Sequence, residues 1–160
     1  MPEHINLRGS PRDPAFLSAV RGVLGFELPV AANTTAQSAG HVACWLGPDE
    51  WLLATQGDGS ALAKTLREAL GGTFSSVTEV GGGNAVFVLD AAHAREVLAQ
   101  ECPLDLDPVA FGPGQCAQTR FAKAAVLLRP LEDGAVEVTV RRSFADYLMH
   151  WFDTQPKEAR

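Results

Sequence analysis

F-G-P-G-Q-C-A-Q-T-R-F-A-K (Phe111–Lys123) and V-R-R-S-F-A-D-Y-L-M-H-W-F (Val140–Phe152) enclose a Val/Leu-rich strand pair, and their reading decides the fold. Gly112, Pro113 and Gly114 interrupt any helix before Gln115. From Gln115 to Leu128 the chain reads as largely extended. Glu132-Asp133-Gly134 turns it back, and Val136, Val138 and Val140 then alternate with Glu137 and Thr139, the period of a strand with one buried face. After Val140 the period changes. Phe144, Tyr147, Leu148, Trp151 and Phe152 recur at i, i+3, i+4, i+7 and i+8, the stripe of an amphipathic helix. Ser143 is placed to cap that helix, with Asp146 at the third position as a shortened capping box. The run is dense in signals for a fold and poor in signals for chemistry.

Working upstream, the same order of signals recurs. Ile5 to Leu7 reads as a short strand. Asp13 caps a helix with Pro14 at its first position, where a missing N–H does no harm. Phe16, Leu17, Val20, Val23 and Leu24 form its apolar stripe, and Gly25 ends it. Pro29 to Gly40 reads as a loop. Val42–Leu46 and Trp51–Thr55 are strands joined by Gly47-Pro48-Asp49-Glu50, and Ser60–Leu70 is a helix closed by Gly71-Gly72. Phe74–Val80 and Ala85–Leu89 are strands flanking Gly81-Gly82-Gly83-Asn84. Asp90 caps a helix over Ala91–Gln100, with Ala94, Val97 and Leu98 inward, and Cys102–Gly114 is a connection.

Each half therefore runs strand, helix, long Pro-containing loop, hairpin, helix. The expected fold class is α+β, two fused ferredoxin-like βαββαβ half-units with antiparallel sheets. A single domain over residues 1–160 is expected, with pseudo-repeat halves about 3–80 and 84–153.

The length of 160 residues suits one core that folds without staples. A net charge of -6, with scattered Lys and Arg, argues against nucleic acid, whose phosphates need a basic field. No apolar run approaches the roughly 20 residues of a spanning helix, so no membrane is expected. Met1-Pro2-Glu3-His4 opens no basic-then-apolar segment, and Cys44, Cys102 and Cys116 have no C-x-x-C spacing. A cytoplasmic protein with reduced thiols is expected. Charged residues make up 20% of the chain, on the low side, which leans toward a surface covered by partners.

Each chemical candidate meets a plainer explanation. Ser143, Asp146 and His150 hold the letters of a nucleophilic triad, but Ser143 and His150 lie about 10 Å apart along a helix axis. His41 and Cys44, three apart on a strand, point to opposite faces, and no second pair completes a metal site. Cys102 and Cys116 read as core thiols. Gly81-Gly82-Gly83-Asn84 and Gly112-Pro113-Gly114 precede no helix and make poor phosphate cradles. Asp105 and Asp107 alternate with Leu104 and Leu106 as on an edge segment with one wet face. His93 is expected to be exposed, and Trp45, Trp51 and Trp151 to be core or interface anchors. Arg120, Lys123, Arg141 and Arg142 are the candidate partner-interface residues, since Arg is enriched at interfaces. A solvated basic edge, or a site for a carboxylate-bearing ligand such as a folyl tail, are the other readings of these four. No catalytic, cofactor-binding or metal residues are assigned.

Leu7-Arg8-Gly9, D-P-A-F-L-S-A-V, W-L-G-P-D-E-W-L-L, C-P-L-D-L, F-G-P-G-Q-C-A-Q-T-R and R-S-F-A-D-Y-L, in that order and spacing, resemble the gamma subunit of heterotetrameric sarcosine oxidase from about Ile5 to Phe152. The chain is compact for that family. The resemblance implies a fold like the folate-binding domain of aminomethyltransferases and a place among four different subunits. It implies partnership with alpha, beta and delta subunits, chiefly alpha, in a complex that oxidises sarcosine to glycine and forms hydrogen peroxide and 5,10-methylenetetrahydrofolate. FAD, FMN, NAD, zinc and tetrahydrofolate are implied for the other subunits, with no cofactor and no catalytic residue here. The alternatives are a stand-alone folate-binding or aminomethyltransferase-like protein, and a small-molecule-binding regulator that shares only the fold.

Overall fold

A computed structural model describes residues 2–154. The chain forms two compact units that divide between Gly82 and Gly83.

In the first unit the order is β1 (Glu3–Gly9), α1 (Pro14–Leu24), β2 (Thr35–Gln37), β3 (His41–Gly47), β4 (Glu50–Thr55), α2 (Gly59–Leu70) and β5 (Ser75–Glu79). The five strands lie in the order β2-β3-β4-β1-β5, every neighbouring pair antiparallel. Helix α1 starts where the Asp13 carboxylate accepts from the Ala15 N–H and Pro14 takes the first position. It stops where Gly25 adopts φ 85° and its N–H reaches the Arg21 carbonyl. Two carboxylates hold the start of α2: Asp58 accepts from the Ala61 N–H at 3.1 Å, and Glu3 of β1 accepts from the Gly59 N–H.

Strand alternation aims Ile5, Leu7, Ala43, Trp51 and Leu53 at one face, where they meet Phe16, Val20 and Leu24 of α1 and Leu62, Leu66 and Leu70 of α2. Trp51 is fully buried, lies 5.7 Å between centroids from the Phe16 ring, and donates its Nε1–H to the Pro29 carbonyl at 2.7 Å. The Phe16 ring fills the space that a side chain on Gly9 would need, which is why a glycine ends β1.

The second unit runs β6 (Asn84–Leu89), α3 (Ala94–Ala99), β7 (Ala117–Phe121), β8 (Ala124–Pro130), β9 (Val136–Arg141) and α4 (Ala145–Asp153), with antiparallel order β6-β9-β8-β7. Strands β6, β7, β8 and β9 take the places of β1, β2, β3 and β4. Among the described residues nothing takes the place of β5, so this unit is a ferredoxin-like half without its last strand. Its core joins Ala94, Val97 and Leu98 of α3 and Leu148 of α4 to Phe121, Val126, Leu128, Val136, Val138 and Val140.

Local departures from the sequence reading have physical causes. The expected loop over 29–40 contains β2, three residues long and too short to show a period. Helix α3 begins at Ala94 rather than Ala91, because the Asp90 carboxylate captures the His93 N–H at 3.1 Å and shapes a turn first. Ser143 does not cap α4: it lies inside a 3-10 turn, Arg142–Phe144, that leads straight from β9 into the helix, and the cap position Phe144 makes no side-chain bond. Phe144, expected inward, is 37% exposed. The extended stretch 115–128 folds as a hairpin about Ala122-Lys123, where no Gly, Asn or Asp marks the turn. Gly81–Gly83 forms a single 3-10 turn between strands of different sheets.

Trp51→Phe keeps most of the ring packing but leaves the Pro29 carbonyl without its donor. Urea denaturation should show a loss of about 1–3 kcal/mol, the cost of a buried acceptor left unpaired.

Candidate functional site

The chemical candidates are dispersed, and several are occupied by structural tasks. Asp146 and His150 are exposed on α4, while Ser143 sits in the turn before it. The His41 Nδ1 lies 3.1 Å from the Thr55 hydroxyl, and Cys44 is buried two residues past the β3 position that pairs with Ala54. Cys102 Sγ lies 3.8 Å from the Thr119 hydroxyl, and none of the three cysteines forms a disulfide. Asp105 and Asp107 are not on a strand. The Asp105 carboxylate accepts from the Asp107 N–H at 3.0 Å and the Asp107 carboxylate from the Val109 N–H at 2.9 Å. Both thus brace consecutive turns of the connection. His93 is partly buried, its side chain 19% exposed, with Nδ1 3.0 Å from the Asp90 carboxylate. Gly112 donates its N–H to the Gln115 side chain at 2.7 Å, and Gly114 takes φ 88°, so that glycine pair builds a turn. Among the described residues, no three His, Cys, Asp or Glu side chains are placed to hold a metal, and no helix is long and apolar enough to cross a membrane.

The tryptophans divide. Trp51 belongs to the first core. Trp45 packs partly buried against that core, and Trp151 meets Phe121 edge-on at 5.2 Å in the second.

The four cations meet at one end of the second sheet. Strand β7 ends there with Arg120, the β7–β8 turn carries Lys123, β9 ends with Arg141, and Arg142 opens the following 3-10 turn. All four are exposed. Arg120 pairs with Ala125 across β7–β8, and Arg141 with Asn84 across β9–β6. Because Phe121 and Val140 point into the core, Arg120 and Arg141 project from the opposite face, about 10 Å apart at ordinary strand spacing. Arg120, Lys123 and Arg141 have no ion-pair partner among the described residues, and Arg142 donates to the Asn84 carbonyl at 3.1 Å. Phe144 stands beside them, its ring 6.2 Å from that of Tyr147, whose hydroxyl accepts from the Lys123 N–H at 3.4 Å. Cations with an adjacent exposed aromatic are what a protein-binding patch presents.

Two features carried no sequence signal. Arg95 of α3 donates to the carbonyls of Leu106 and, at 3.2 Å, Phe111, so one guanidinium staples the long connection to the helix. In the first unit Phe74 is 97% exposed at the rim of a groove. Neither a staple to carbonyls nor exposure follows any periodicity, so neither shows in a linear pattern.

Comparison with known proteins places this geometry. Residues 8–158 match the sarcosine oxidase, gamma subunit family. A sarcosine oxidase subunit gamma from Corynebacterium sp. (strain U-96) is 34% identical over 135 residues, covering 84% of this chain. The chain spans 65% of that relative's length, just under two thirds. A chain of the heterotetrameric sarcosine oxidase from Corynebacterium sp. U-96, solved with pyrrole 2-carboxylate, superposes with a TM-score of 0.86 at 32% identity, covering 94% of this chain and 76% of that one. The glycine cleavage system aminomethyltransferase T from Bartonella henselae shares the fold, with a TM-score of 0.70 at 18% identity over 96% of this chain and 44% of its own.

The turn that presents Lys123 holds Ala122 at φ 52°, a left-handed conformation unfavourable for any side chain. Ala122→Gly should raise stability by about 0.5–1 kcal/mol in chemical denaturation, as relief of that strain outweighs the added freedom of the unfolded chain.

Proposed function

The chain belongs to the sarcosine oxidase gamma-subunit family, and on that footing we propose that it is the non-catalytic structural subunit of a heterotetrameric sarcosine oxidase. In this reading it docks chiefly on the alpha subunit, alongside beta and delta, in the cytoplasm. The complex oxidises sarcosine to glycine, with hydrogen peroxide and 5,10-methylenetetrahydrofolate as further products. FAD, FMN, NAD, zinc and tetrahydrofolate act on the other subunits. This chain contributes shape and contact.

One observation carries the reading beyond family membership: Arg120, Lys123, Arg141 and Arg142 converge at one sheet end beside Phe144, on a chain whose net charge is -6. Like charges gathered with few local counter-charges are costly to maintain alone and are relieved by an acidic partner surface. The reactive side chains support the same reading from the other direction, because Asp90, Asp105, Asp107 and His41 are engaged with their own neighbours.

Co-expression with alpha, beta and delta subunits tests this. The chain should copurify in the complex, and alone should show neither flavin colour nor oxidase activity. Arg120→Glu, which breaks no internal bond among the described residues, combined with Arg142→Glu should weaken assembly by about tenfold or more at ordinary salt. Assembly indifferent to both reversals removes this patch from the interface. Micromolar binding of a reduced folate by the chain alone would instead favour a stand-alone folate-binding protein.

A further inference from the structure

The first unit carries a groove of about 670 Å³ that its own core does not fill. Its walls are the end of β1 with Arg8, the following turn with Pro11 and Arg12, the β3–β4 turn with Pro48 and Asp49, and Phe74 just before β5. The floor is fixed: the Gly9 N–H bonds the Asp49 carbonyl at 3.1 Å, and the Phe16 ring backs Gly9. A cleft built on such tied elements needs little reordering to bind.

Its chemistry is mixed in a specific way. Phe74 is 97% exposed, and the rings of Pro11 and Pro48 line the same groove. A single exposed apolar side chain would mean nothing; this one stands at the rim of a cleft with proline walls. Two guanidiniums oppose one lining carboxylate, Asp49. Arg8 is engaged on one side by Glu50 at 3.0 Å while its side chain stays 54% exposed. Arg12 has no ion-pair partner among the described residues. With Arg8 held by Glu50, Arg12 is the guanidinium left to meet an incoming acceptor, next to apolar surface.

We propose that this groove receives an extended segment of the partner subunit, one that sets a carboxylate against Arg12 and an apolar side chain against Phe74 and the two prolines. This deepens the docking role and rests on it. The groove is a second anchor, made by residues other than the four cations of the second unit. Charge selects the occupant: a basic segment would be set against Arg12, and a purely apolar one would leave Arg12 desolvated without an acceptor.

The test uses the full chain assembled with alpha, beta and delta subunits. Hydroxyl-radical footprinting compares Phe74 in the chain alone and in the complex, where its oxidation should fall several-fold. Phe74→Ala and Arg12→Glu should each weaken assembly by about tenfold or more, and Arg12→Lys by less, because the charge remains while the planar fork is lost. The melting temperature of the chain alone should not move in Phe74→Ala, since the ring is exposed. Phe74 oxidised at its free-chain rate inside an assembled complex, or wild-type assembly by R12E, overturns the groove while leaving the docking role intact. Failure of the unmodified chain to join the other subunits overturns the docking role and the groove's occupant together.

Discussion

A strand must hand the chain to a helix on one face of its sheet before the next strands can be laid beside it, and both halves of this protein are built around that constraint. Strand β1 lies between β4 and β5, so α1 and α2 must cross the same face. That face is apolar only because Ile5 and Leu7 fall in register with Leu53 and Trp51. The contact between Phe16 and Trp51 closes the first core, and it dictates the glycine at position 9 and the Pro29 carbonyl as an acceptor. In the second half β6, at the edge of its sheet, and β9 beside it lead into α3 and α4, with Leu98 and Leu148 over Val136, Val138 and Val140. A one-residue slip in either sheet would turn each apolar row outward, so register and core specify one another.

Long periodic elements were legible from the residues alone. The Asp13-Pro14 start, the Gly25 stop and the valine alternation of β9 each act through local chemistry, and the structure contains them. Features set by tertiary contact were not. Asp90 looks like a helix cap in sequence, yet its carboxylate spends itself on a turn before α3. Ser143 looks like another, but the strand runs into the helix too directly to leave a cap position for it. The Ala122-Lys123 turn is tied by the Ala122 N–H to the Glu101 carbonyl at 3.1 Å, a distant partner that no turn signal announces. The candidate site shows the same division. The four cations could be named from composition, but their convergence depends on antiparallel pairing, and the groove at Phe74 depends on turns far apart in sequence.

The functional consequence follows from where polar groups are used. Carboxylates brace turns and helix starts, Arg95 holds a loop, and Arg129 and Glu137 pair across β8 and β9 at 3.1 Å. On an acidic surface two places stand apart: Arg120, Lys123 and Arg141 at one sheet end, and Arg12 with Phe74 at a groove. Surfaces of that kind gain most from being covered by another protein. The internal likeness of the halves also has a limit, since β5 of the first has no counterpart among the described residues of the second, and the two units present different surfaces as a result.

The most direct measurement is turnover in the assembled oxidase after stripping this subunit of accessible reactive groups: Cys102→Ser, Ser143→Ala, Asp146→Asn and His150→Ala in one chain. Sarcosine oxidation per fully assembled complex should stay at the unmodified level. A large fall in kcat at full subunit stoichiometry would place one of these side chains in the chemistry and contradict a role limited to contact.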